Sequence, residues 1–203
     1  MEEGNVIRNA GLLTIVGALI GIGTGIARAA DASIPSVGSV SLAEILTVVA
    51  SVSLFFGAFG LLRSGAAGNS SAAKAGYVLV FVGLTVALIY EVSLVLQAQP
   101  SELPGIVAGL LVGLGMLTVG RVTLQAGIWP GWRRFAPLIA GSYPLVMVFA
   151  YPLITSIPAI AEIGSQRLDQ GLTAIWFLCW LPLGMALWSE PDREEQVQPR
   201  TAG

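Results

Sequence analysis

The side chain best placed to do chemistry in this sequence is Glu91, a lone carboxylate inside an apolar run of about twenty residues. A charge near the middle of a membrane helix costs about 2.5–3.5 kcal/mol even on the gentlest insertion scale, so a carboxylate there is a functional candidate by default. Glu91 lies roughly 7 Å beyond the midpoint of its run at helical rise. Gly83 and Ala87 share its helical stripe, and small residues on that line turn the carboxylate toward other helices and away from lipid. On the preceding run, Glu44, Thr47 and Ser51 form a polar stripe at the same depth if the two runs are antiparallel. Together with Tyr90 or Tyr151, this set suits a cation, an amine or a proton. The plainer reading stands beside it. Glu91 would then only hydrogen-bond a neighbouring helix, and Glu44 would only cap one, because Ser41-Leu-Ala-Glu44 fits a capping box.

Other chemistry is poorly supplied. There is no histidine and a single cysteine, Cys179. That leaves no His ligand or base, no disulfide within the chain and no CxxC pair. Neither a metal nor a cofactor is expected, and the usual nucleophile and acid–base sets are missing. A net charge of −2 offers no basic patch for nucleic acid.

The elements that must position these residues are long apolar helices. Of 203 residues, 55% are hydrophobic and only 11% charged, against about 25% charged in soluble domains. Mean hydropathy is +0.80. A spanning helix needs about 20 apolar residues, and six such runs occupy most of the chain. They are approximately 10–27, 42–62, 76–96, 105–126, 131–155 and 171–188. The expected fold is all-α, a polytopic six-span bundle with both termini cytoplasmic. Residues 1–9 form a polar lead, 10–188 one transmembrane domain and 189–203 a polar, disordered tail. Ile157, Ile160 and Ile163 recur at helical spacing before the last span. A signal peptide is weighed at the first run, where Ala27-Arg28-Ala29 resembles a cleavage pattern. The acidic lead and the length of the run argue for a retained helix.

Orientation follows lysine and arginine in the short loops. Arg8, Arg63, Lys74, Arg121, Arg133, Arg134, Arg193 and Arg200 fall on one side, and Arg28 and Arg167 on the other. The first side is therefore cytoplasmic, and Glu91 lies in the outer half. Arg121, Arg133 and Arg134 read as cytoplasmic anchors, with Arg121 snorkelling to the headgroups. Trp129, Trp132 and Trp188 sit at the same ends, where interfacial aromatics concentrate.

Two glycine series, Gly17/Gly21/Gly25 and Gly105/Gly109/Gly113, let helix backbones approach closely, within one chain or between two copies. AGLL at 10–13 recurs at 108–111. That suits an inverted repeat or merely similar composition. Pro144, Pro152 and Pro182 lie inside apolar runs and predict kinks.

GWRRFAPLIAG at 131–141 and LGMALW at 183–188 resemble segments of uncharacterised multi-pass bacterial membrane proteins. The resemblance implies an integral membrane protein and brings no activity and no site residue. The leading expectation is a non-catalytic accessory or scaffold subunit of the cell membrane, in a homo-oligomer or larger complex, packing through its glycine faces. The alternative is a small-solute transporter or substrate-binding subunit that uses Glu91.

Overall fold

The computed structural model describes residues 2–30, 34–37, 40–96, 101, 103–157 and 165–189. The polar tail beyond residue 189, together with Ile160 and Ile163, lies outside them. The described chain is almost wholly helical: α1 (Glu2–Ala29), α2 (Leu42–Ser64), α3 (Ser71–Val95), α4 (Leu103–Ala126), a 3-10 turn (Gly131–Phe135), α5 (Ala136–Thr155), α6 (Ser165–Leu178) and α7 (Leu181–Trp188). A two-residue antiparallel ribbon, β1 (Ser36–Val37) with β2 (Val40–Ser41), precedes α2. Six helical stretches are long and apolar enough to cross a membrane, the last formed by α6 and α7 together. The chain is thus compatible with a multi-pass helical membrane protein.

Local signals set the helix ends. Ser41 Oγ accepts from Ala43 N, and Glu44 Oε2 accepts from Ser41 N at 3.1 Å, which starts α2. Gly65 closes α2 with φ of 65°, a conformation that costs glycine little. Ser70 Oγ accepts from Ala73 N to start α3. Two boundaries differ from expectation. The polar lead is helical from Glu2 onward, because nothing in its first residues competes with continuing α1 outward. Pro182 does not bend one helix. It stands in the first turn of α7, after α6 has ended at Leu178, where its missing N–H costs nothing. Pro144 and Pro152 lie within α5, which continues through both.

Two groups of helices make up the bundle. α1 packs against α2, α6 and α7, and α4 packs against α3 and α5. The α2–α3 hairpin joins the groups, with smaller contacts between α5 and α6–α7. One end gathers the ribbon, the C-terminus of α1 and the N-terminus of α6. We call it the ribbon end. The opposite end carries Arg8, Arg63, Lys74, Arg133 and Arg134, and is the arginine end.

Close backbone approach recurs at these contacts. A Cβ placed on Gly115 would lie 2.7 Å from the Gly76 carbonyl, and one on Gly76 would lie 3.0 Å from the Gly115 carbonyl. Gly11 and Gly184 oppose each other in the same way between α1 and α7. The two AGLL segments play different parts, since Gly109 only touches Val148 and Pro144 on α5 at ordinary distances. Gly115→Ala is expected to destabilise the bundle by about 1–3 kcal/mol, the usual cost of overpacking. Gly23→Ala, where a Cβ meets nothing within 4 Å, is expected to be neutral or stabilising by up to about 1 kcal/mol. Thermal unfolding of both variants in detergent checks the difference.

Candidate functional site

The register of the α2–α3 hairpin is fixed by its buried contacts. Tyr77 Oη donates to the Leu61 carbonyl at 3.1 Å, and the Phe81 and Phe55 rings lie 6.4 Å apart. Followed toward the ribbon end, this register sets the Glu91 backbone about one helical turn beyond Ser51, and the side chain, inclined toward the N-terminus of α3, reaches back to it. Tyr77 and Phe81 mark the α3 face that meets α2. Gly76 and Gly83 mark the face that meets α4. At 100° per residue, Glu91 lies between those two faces, so it points into the seam where the three helices meet.

Ser51 is the side chain that faces the Glu91 carboxyl. Ser51 is buried, and so is Glu91 Oε2, although Glu91 as a whole residue is only half-buried. Neither Ser51 Oγ nor Glu91 Oε2 completes a hydrogen bond of ordinary geometry. The contrast along α2 is informative. Thr47, Ser53 and Ser64 each donate to a carbonyl of the preceding turn, the usual local solution for a hydroxyl in a helix. Ser51 does not. A buried polar group left without a partner costs about 1–3 kcal/mol, so this corner of the bundle keeps hydrogen-bonding capacity that the fold does not use. A carboxyl and a hydroxyl in that state suit a proton, a water, an ammonium group or a small cation.

Other residues of the expected set are placed elsewhere. Glu44 is used in the cap of α2, two turns from Ser51. Thr47 Oγ1 donates to the Ala43 carbonyl. Tyr90 turns its ring toward α4, where a Cβ on Gly105 would sit 3.6 Å from it. Tyr151 Oη donates to Asp169 Oδ1 at 2.6 Å and links α5 to α6. Among the described residues, no group of three or more potential metal ligands converges.

The glycine series are largely occupied within the chain. A Cβ on Gly17 would collide with Ser53, one on Gly21 with Phe177, and one on Gly25 with Ala174. Gly113 faces Leu145 of α5 at similarly short range. Gly105 and Gly109 have only ordinary contacts. At the arginine end, Arg133 donates to the Ser189 carbonyl, Arg134 lies 5.0 Å from the Phe135 ring centre, and Arg121 is exposed. Trp129 departs from its expected exposed, interfacial place. It is 3% exposed, because left-handed turns at Gly127 and Gly131 fold the indole into the core cluster that holds Ala66, Ala67 and Leu187. Trp132 and Trp188 are exposed.

A groove of about 490 Å³ between α1 and α6 did not emerge from the sequence. Its walls are ordinary branched and small apolar residues, so only Gly171 hints at missing volume. Glu91 does not line it. No protein-family model matches the chain, and no curated protein and no solved structure matches it.

If the Glu91–Ser51 corner is held for a ligand, the empty fold should not need it. Glu91→Leu combined with Ser51→Ala is expected to leave stability unchanged or to raise it by about 1–3 kcal/mol, read from thermal unfolding in micelles. A loss of more than about 1 kcal/mol would instead show a structural hydrogen bond there.

Proposed function

We propose that this is a multi-pass protein of the cell membrane that holds a proton or a small cationic solute at Glu91 and Ser51. The ribbon end faces outward and both termini face the cytoplasm, following the excess of lysine and arginine at the arginine end. The observation that carries this reading is a buried Glu91 carboxyl oxygen facing the buried Ser51 hydroxyl across α2 and α3, a contact that falls short of ordinary hydrogen-bond geometry. An acidic side chain inside a bundle that otherwise satisfies its hydroxyls locally is expensive, and its best use is a ligand. The role is binding or transport, without covalent chemistry. The test is thermal unfolding of the purified protein against sodium, potassium, ammonium, methylamine and choline over a range of pH. At least one of these, or the proton itself, is expected to shift the unfolding temperature, and Glu91→Gln is expected to abolish the shift while the protein stays folded. A shift that persists in Glu91→Gln, or no shift with any of them, would remove the site.

A second reading, an accessory subunit of a homo-oligomer or larger membrane complex, is favoured by α5. Val146, Phe149 and Leu153 lie on one face of that helix and are 59–71% exposed. The glycine faces are less suited to this role, because most already meet helices of the same chain. Native mass spectrometry of the gently extracted protein separates the two. A retained partner that is lost in Phe149→Ala supports the accessory reading, and a lone monomer that retains a Glu91-dependent small ligand supports the first.

A further inference from the structure

The close backbone approaches of this bundle stay within its two groups of helices. Gly17, Gly21 and Gly57 meet helices of the first group, α1, α2, α6 and α7, whereas Gly76, Gly113 and Gly141 meet helices of the second, α3, α4 and α5. From Gly11 onward, every described helical glycine that meets another helix has its nearest neighbours in its own group. Across the boundary between the groups the contacts are made by side chains, and its two ends differ. At the arginine end Tyr77 Oη donates to the Leu61 carbonyl. Tyr77 and Leu61 are buried there, as are Trp129 from the second group and Leu187 from the first. At the ribbon end Glu91 faces Ser51, and Tyr151 Oη donates to Asp169 Oδ1 at 2.6 Å. Glu91 and Tyr151 are only half-buried, and Asp169 is exposed. Two turns deeper on α5, Tyr143 Oη donates to the Leu172 carbonyl. The chain itself crosses the boundary at the arginine end between α2 and α3, where Gly65 and Gly68 both have left-handed backbones. Its second crossing, between Thr155 and Ser165, limits how far the ribbon end can part.

We propose that the two groups part and close at the ribbon end about the α2–α3 turn, and that occupancy of the Glu91–Ser51 site draws them together. Bodies held by close backbone contact do not deform continuously, so movement falls to the boundary that lacks such contact. Glu91 belongs to one body and Ser51 to the other. A proton or small cation held by both therefore favours the closed form. An empty, ionised Glu91 favours the open form, because parting lets water reach a carboxylate that is costly to bury. No described neighbouring side chain supplies a compensating positive charge. On α2, Glu44 is held in the helix cap; on α3, Tyr90 turns toward α4; and α4 carries only Arg121, near its opposite end. The inference rests on the ligand reading of the Glu91–Ser51 site and adds how binding there is coupled to movement.

The test is pulsed electron–electron double resonance on spin-labelled pairs in lipid nanodiscs, in a Cys179→Ser background. Ile26→Cys with Leu103→Cys reports across the boundary at the ribbon end, and both positions are exposed. Val6→Cys with Gln125→Cys reports across it at the arginine end, and Val78→Cys with Leu103→Cys reports within the second group; these positions are exposed too. On passing from acidic to alkaline buffer, the first distance should lengthen and the other two should stay constant. Glu91→Gln should hold the short distance in both buffers. Tyr151→Phe removes the other ribbon-end bond and should shift the first pair toward the longer distance in both. A ribbon-end distance indifferent to pH and to Tyr151→Phe would overturn the proposal. So would an equal change in the pair within one group, or a pH response that persists in Glu91→Gln. A Glu91-dependent shift in unfolding temperature at constant ribbon-end distance overturns the movement and leaves the site. A distance that lengthens in Tyr151→Phe, with no Glu91-dependent thermal shift, overturns the site and its coupling and leaves the movement.

Discussion

In a membrane, helices this apolar would gain little by hiding from the hydrocarbon, so what would bind them is close contact and the few hydrogen bonds between them. The bundle depends on that constraint. Gly76 and Gly115 bring the α3 and α4 backbones within reach of each other's carbonyls, and Gly11 with Gly184 does the same for α1 and α7. Gly57 and Gly60 accept Thr14 and Ala10 between α1 and α2. Once these approaches are made, the rotation of each helix is fixed, and with it the direction of every polar side chain. The Tyr77 hydrogen bond to Leu61 then locks the α2–α3 register in the same sense.

Fixed rotation gives meaning to the few groups that stay unsatisfied. Thr14, Thr123 and Ser64 are buried and harmless, because each donates to a carbonyl of its own helix. Glu91 has no such local solution. A carboxylate accepts hydrogen bonds, and the helix offers it no free N–H. Its needs are met from another helix or from outside the chain. Ser51 faces it in a contact short of ordinary hydrogen-bond geometry, and the ligand proposed for this corner would supply what that contact lacks. The buried indole N–H groups of Trp129 and Trp180 are also without partners, but each belongs to a large ring whose apolar burial exceeds the cost of one neutral donor.

The groove and the Glu91 corner illustrate two ways a packed bundle leaves room. At Glu91 a buried carboxyl oxygen lacks a hydrogen bond of ordinary geometry. Between α1 and α6 the volume is missing and no polar group is stranded. Gly171 accounts for part of the opening, since a methyl group in place of its hydrogen would meet nothing within 4 Å. The end of α6 at Leu178, before Pro182 restarts the chain as α7, marks the floor of the groove.

Much was legible from composition and local pattern. Six apolar helices follow from the length of the runs, since the chain has too few polar residues to build anything else. The start of α2 follows from Ser41 and Glu44, because a capping box is made by four consecutive residues and needs no distant partner. The orientation proposed for the bundle is likewise a property of the loops alone. Which faces meet was not legible, because near-uniform apolar helices carry almost no amphipathic signal to say which side turns inward. For that reason only the tertiary structure decided that Gly17, Gly21 and Gly25 are occupied within the chain, that Trp129 folds inward, and that Tyr90 turns from Glu91 toward α4. The pairing of Ser51 with Glu91 combined both levels. The depth match follows from counting residues, whereas the facing side chains depend on helix rotation, which only packing sets.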